Sequence, residues 1–237
     1  MTDEVTLTGW QLDIGADMIL RGQGADPAVV RQRRPRLVET AEQALAEGMR
    51  WVQPAVVYRI LNVESLRHET LTLQGGGKLK SGLIAEHLAQ ADQVAMIVCT
   101  LGDGLEKRIS TLMQSDPVLG FALDGFGTVA MEVLGSAICA KLEAEARERR
   151  KYTSIPLSPG AVEWPVDAGQ SQIFSILDTS SIGVVLNESF QMIPRKSTSM
   201  ILGIGAMPFT AGRPCDFCGL RETCHYQNRD MVFGHTP

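Results

Sequence analysis

Val94-Ala95-Met96-Ile97-Val98-Cys99, running into Thr100-Leu101-Gly102-Asp103-Gly104, decides the fold class. Six apolar residues with β-branched content make a buried strand by length, and the glycine turn hands the chain to a helix near Leu105. Free N–H groups at such a turn can seat an anion. The glycine spacing matches neither a phosphate loop nor a dinucleotide fingerprint, so a plain structural turn is expected.

Upstream, Val56 to Val63 and Glu69 to Leu73 read as strands, the second closed by Gly75-Gly76-Gly77. Lys80 to Ala91 reads as a short helix. From Pro27, the positions Val30, Leu37, Val38, Ala41, Leu45 and Met49 recur at helical spacing, with Arg31, Arg33, Arg34 and Arg36 as the dense basic run. That run is a solvated helix face or a docking patch for an acidic partner. Trp10 to Leu20 has mixed periodicity and ends at Gly22-x-Gly24.

Downstream, a long helix closes in the charged run Glu143 to Lys151. Its stretch Val118 to Lys141 is interrupted by Asp124, Glu132 and several glycines, and is expected to be a buried helix rather than a membrane span. At Tyr152 the composition changes to turn formers: Pro156, Pro159-Gly160, Pro165 and Gly169. Ile173 to Leu177 reads as a helical turn or two, and Ile182 to Leu186 and Ser199 to Ile204 as strands. Helices first and paired strands later give an α+β class rather than an alternating parallel fold.

The 237 residues can bury a core without staples. A mean hydropathy of +0.02 excludes disorder as the main state. A net charge of −5 gives no global reason to bind nucleic acid or an anionic membrane. The start Met1-Thr2-Asp3-Glu4 carries no basic region followed by an apolar core, so a cytoplasmic location is expected.

Of five cysteines, three fall in Cys215-Asp216-Phe217-Cys218-Gly219-Leu220-Arg221-Glu222-Thr223-Cys224. An odd, clustered count argues against a disulfide framework and for a metal. Thiolates two residues apart can share one centre, and the third closes over it. An iron–sulfur cluster, expected to be of the 4Fe-4S type, competes with structural zinc and with a site holding no metal. The fourth ligand is open among Cys99, Cys139, His225, His235 and an external group.

A second place, from Ser158 to Gly205, contains Ser158-Pro159-Gly160, Glu163-Trp164-Pro165, Gln170, Ile173-Phe174, Gly183 and Leu186-Asn187-Glu188-Ser189-Phe190-Gln191-Met192-Ile193-Pro194-Arg195-Lys196-Ser197-Thr198-Ser199. In order and spacing these resemble the C-terminal activation domain of cobalamin-dependent methionine synthase, specifically over residues 150 to 206 and faintly before. The resemblance implies a helix-flanked antiparallel sheet that binds S-adenosylmethionine and approaches the cobalamin while cob(II)alamin is reductively remethylated. It also implies a cofactor-binding or partner-facing role for Ser158, Gly160, Glu163, Trp164, Glu188, Ser189, Pro194, Lys196 and Ser197.

The sequence departs from that family at its S-adenosylmethionine signature, Arg-x-x-x-Gly-Tyr. Aligned on Gly160, the arginine position holds Pro156 and the tyrosine position Ala161. Proline has neither charge nor donor and alanine no ring, so retained S-adenosylmethionine binding is doubtful. The cysteine cluster lies beyond the activation-like region, and is similar to the tails of stand-alone activation-domain proteins and of iron–sulfur activators of corrinoid methyltransferases. Clusters reach down to about −700 mV, which suits reduction of cob(II) to cob(I).

The expected organisation is an activation-domain-like unit over residues 1 to 210 and a cysteine-rich metal-binding tail over 211 to 237. The expected role is an accessory protein for cobalamin-dependent methyl transfer. The alternatives are a non-catalytic docking subunit and a zinc-dependent methyltransferase component. No D-x-H-x-x-G segment is present, so a corrinoid is expected on a partner protein or methyltransferase subunit; a homodimer is an open alternative. Asp167 and Asp178 are expected to be solvated loop carboxylates, and His68 and His87 isolated side chains.

Overall fold

The computed structural model describes residues 4–223. Strands β1 (Val5–Thr8), β2 (Ala55–Arg67), β3 (Thr70–Leu73), β4 (Lys78–Lys80), β5 (Gln93–Thr100), β6 (Tyr152–Thr153) and β9 (Ser197–Gly205) form one antiparallel sheet in the order β4-β3-β2-β5-β9-β6. β1 pairs with the first residues of β2, Val5 opposite Tyr58. β7 (Val185–Leu186) and β8 (Met192–Ile193) form a separate hairpin.

The central pairing aligns β5 with β2 (Val57 opposite Val98) and with β9 (Val98 opposite Ser199). Alternation sends Ala95, Ile97 and Cys99 into one core and Val94, Met96 and Val98 into the other. A strand buried on both faces has no polar position to spare, which is why its sequence reads as a continuous apolar run. A register shift between Val63 and Ser65 turns β2 from its β5 partner toward β3.

The first core is covered by α1 (Ala16–Gly22), α2 (Pro27–Arg33), α3 (Pro35–Trp51), α5 (Gly104–Ser115) and α6 (Pro117–Glu148). The second lies under α4 (Gly82–His87), α7 (Val166–Ile176), the loop around Trp164, and Phe217. The α+β class read from the sequence holds, and several boundaries move. The helix expected from Pro27 is split at Pro35, whose missing N–H and fixed φ suit a helix start. Pro117 likewise starts α6, with Asp116 capping it by accepting from the Leu119 N–H at 3.1 Å. Lys80 to Ala91 contracts to α4, capped by the Ser81 hydroxyl, and the turn or two at Ile173 grows into all of α7. Within Ile182 to Leu186 only Val185–Leu186 is strand, and β1 falls where no strand was expected.

By length and composition α6 can cross a bilayer, yet 61% of its apolar window is buried in the protein. It is the core helix the sequence suggests. It packs on α3, where Gly48 faces the Phe126 ring and a Cβ would overlap ring carbons.

Gly48→Ala should therefore lower stability by about 1–3 kcal/mol, because the overpacked ring or helix must shift. Met49→Ala, at an exposed position of the same turn, should stay within about 0.5 kcal/mol. Urea unfolding midpoints with unchanged slopes check both.

Candidate functional site

Ser154 and Leu157 continue the pairing along β9, and the chain then turns at Ser158-Pro159-Gly160. Gly160 takes φ +99°, which an L side chain rarely adopts, and its N–H donates to the Trp164 carbonyl at 2.8 Å. Trp164 is fully buried, and its indole N–H donates to Gln172 Oε1 at 3.2 Å. The same oxygen accepts from the Lys80 backbone N–H at 3.1 Å, tying this loop to β4 and α7. Glu163 is exposed, with its carboxylate against Gly82 at the start of α4.

The cysteine turn docks on this loop. Pro214–Phe217 forms a 3-10 turn carrying Cys215, with Cys218 just beyond it. The Val162 N–H donates to the Phe217 carbonyl at 2.8 Å, the Gly219 N–H donates to the Gly160 carbonyl at 3.1 Å, and Ala161 pairs with Cys218 in an antiparallel bridge. Gly219 is required by proximity, since a Cβ there would stand 2.9 Å from the Gly160 oxygen. Phe217, half-buried, packs against the second core and meets His87 edge to face, ring centres 4.3 Å apart. His87, expected to be isolated, is a buried platform for the turn. Its Nδ1 lies 3.1 Å from the Leu83 carbonyl, which accepts the proton that nitrogen carries, and its Nε2 has no hydrogen-bond partner among the described residues.

Among the described residues, Cys215 and Cys218 form no disulfide with each other or with Cys99 or Cys139. Cys224, His225 and His235 lie outside the described residues, and no three His, Cys, Asp or Glu side chains converge among the described ones. The described part of the cluster supplies two thiols, Cys215 and Cys218, on one turn. Cys99 and Cys139 are not brought to it. Cys99 is buried in the core on the opposite face of the sheet and the partly buried Cys139 packs against that same core, its Sγ 3.5 Å from Met200 Sδ. The expectation that either completes the ligand set meets an intervening sheet whose strands are closed by backbone hydrogen bonds. Burial, and then the Cys139 sulfur, push the Cys99 thiol up; burial, and then the Glu143 charge, push Cys139 up to about 11. Both behave as apolar core groups.

The remaining expected residues sit on the hairpin and the strand after it. Asn187 Oδ1 accepts from the Ser189 and Gln191 N–H groups, each at 2.9 Å, holding Glu188 and Ser189 at an exposed tip. Pro194 is buried, behind a cis peptide bond. Lys196 Nζ donates to Asp124 Oδ1 at 2.9 Å and to Thr128 Oγ1 at 3.1 Å, so it anchors β9 to α6. Ser197 bonds Thr100 through their hydroxyls at 2.9 Å. The contacts that hold this segment run to α5, α6 and β5, whereas those of the cysteine turn run to the Gly160 loop. The Asp178 carboxylate accepts from the Ser180 N–H, which holds it below the ordinary aspartate range; it closes a turn, as expected of a loop carboxylate.

No family model matches this sequence, and no curated protein matches it. Among solved structures, the crystal structure of the MetH reactivation domain bound to AdoHcy superposes with a TM-score of 0.56. The fold is that of the MetH reactivation domain. The match covers 85% of this chain and 78% of that chain at 12% identity. The reactivation-domain likeness therefore extends well before residue 150, where the sequence resemblance is faint. Folds persist where residue identities do not, because the two-sided core constrains pattern more than identity.

In metal-free protein at about pH 8, Cys215 and Cys218 should alkylate in the native state, and Cys99 only after unfolding. Peptide mapping by mass spectrometry reads this. Equal native rates for Cys99 and Cys218 would contradict the burial described.

Proposed function

We propose that this protein is an accessory factor for cobalamin-dependent methyl transfer, in which the Cys215, Cys218 and Cys224 thiolates hold an iron–sulfur cluster that reductively reactivates a corrinoid on a partner. Support comes from the reactivation-domain fold and the residue pattern of 150 to 206. The observation that carries the reading is the backbone pairing of the cysteine turn with the Gly160–Trp164 loop. It joins the two chemically distinctive parts of the sequence in one rigid place.

When bound, such a cluster supplies a single electron at low potential, taken from a low-potential donor protein and passed to cob(II) to give cob(I). This chain's residues do the rest. The Gly160 loop and Phe217 fix the thiolates, His87 supports Phe217 from beneath, and Trp164 locks the loop to α7. Glu188 and Ser189 at the hairpin tip, with Pro194, Lys196 and Ser197 behind them, present a rigid face to the corrinoid carrier. Ala161 is engaged by Cys218 where the family's tyrosine aligns, and Pro156 offers no guanidinium. In this reading the redox centre has replaced the methyl-donor pocket, and S-adenosylmethionine does not bind.

The same docking also suits a second reading, in which zinc staples the turn and the protein only positions a partner. Redox activity separates the two. Anaerobically purified protein should carry iron matched by sulfide, with a broad visible absorption that bleaches on reduction, and should reduce added cob(II)alamin when given a low-potential donor. Cys218→Ser should abolish both the absorption and the reduction. Colourless protein holding zinc would overturn the redox role, and tight calorimetric binding of S-adenosylmethionine would overturn the replaced pocket.

A further inference from the structure

Three sulfur atoms outside the cysteine turn gather between α6 and the sheet. Cys139 on α6 donates its thiol proton to the Met200 thioether on β9, with Sγ 3.5 Å from Sδ. Met200 stands opposite Ile97 of β5, and Cys99 stands opposite Thr198, so Met200 and Cys99 are diagonal neighbours on one face of the sheet. Burial first, and the Cys139 sulfur second, raise the Cys99 thiol, so the two cysteine sulfurs are neighbours as well. Gly135, one turn before Cys139, makes room for the third. A Cβ there would stand 3.3 Å from the Met200 methyl, and its absence lets the end of Met200 tuck under α6.

The chemistry of this group is soft. Two thiols and a thioether are poor ligands for hard cations and good ones for monovalent d10 ions. The core around them is apolar, and a full charge does not stay in such a place without its partner. A monovalent cation on one thiolate is neutral, whereas a divalent one leaves a positive charge in the core. The spacing suits a shared ion too: a cation roughly 2.3 Å from each of two sulfurs 3.5 Å apart subtends about 100°, close to a tetrahedral angle. Cys99 is fully buried, and the half-buried Cys139 is the sulfur an ion reaches first.

We propose that Cys139, Met200 and Cys99 form a binding site for a soft monovalent cation, Cu(I) or its analogue Ag(I), separate from the cysteine turn. The ion takes the place of the Cys139 thiol proton, which leaves to solvent. The Met200 thioether and the Cys99 thiol complete an all-sulfur shell of no net charge. The site does not depend on the iron–sulfur reading, because the sheet lies between the two groups.

Full-length protein with Cys215, Cys218 and Cys224 changed to serine keeps only Cys99 and Cys139 of its five cysteines, and isolates the site. Without oxygen, and in competition with bathocuproine disulfonate, this chain should capture one equivalent of Cu(I). Copper K-edge absorption should show sulfur neighbours alone. Met200→Leu, which nearly keeps the volume, should weaken capture about tenfold or more, as should Cys139→Ala and Cys99→Ala. Ag(I) should displace the copper and Zn(II) should not. Undiminished capture by any of the three variants, displacement by Zn(II), or no capture by a chain that circular dichroism shows folded would overturn the proposal. If the three serines unfold the chain, the same titration of the unaltered chain decides: Met200→Leu should remove one of the equivalents bound, and an unchanged stoichiometry would overturn the site.

Discussion

β5 is buried on both faces between β2 and β9, and the other elements are arranged to cover one face or the other. The unbroken apolar run Val94–Cys99 cannot leave either side open to water, because each exposed aliphatic side chain forgoes about 1.5–3 kcal/mol of burial. One face is closed by α6 with α1, α3 and α5. The other is closed by α4, α7, the Trp164 loop and Phe217. The cysteine turn is thus held at the margin of the second core, through Phe217.

That placement ties chemistry to packing. Phe217 lies between Cys215 and Cys218 in sequence, and it is the residue of the turn that packs against the second core. Its carbonyl and the Gly219 N–H are spent on the Gly160 loop, so the backbone around both thiols is fixed from two sides. A donor that must hold one distance to a bulky acceptor benefits from such pre-organisation, because motion of the ligand turn would otherwise broaden the geometry of transfer.

The strands β2, β3, β5 and β9 and the α+β class were legible because each is a local signal: β-branched runs and turn residues. Prolines 35 and 117 were in view, but apolar periodicity continues across both, so two helices read as one where the missing N–H begins a second. The docking of residues 217–219 on 160–162 was not legible. It consists of main-chain hydrogen bonds between distant segments, which leave almost no side-chain signature beyond Gly219. Cys99 and Cys139 were candidates by residue type alone; strand parity puts Cys99 on the same face as Ile97 and Ala95, but only the observed layering shows that this face is the wrong one.

The central claim is that the cysteine turn is bonded to the Gly160 loop as part of the folded core, and native-state hydrogen exchange at Val162 and Gly219 tests it most directly. Both amides are predicted to exchange with protection factors close to those of β9, since both are paired across the contact. Exchange of the two at the rate of an unstructured loop, with β9 still protected, would contradict it.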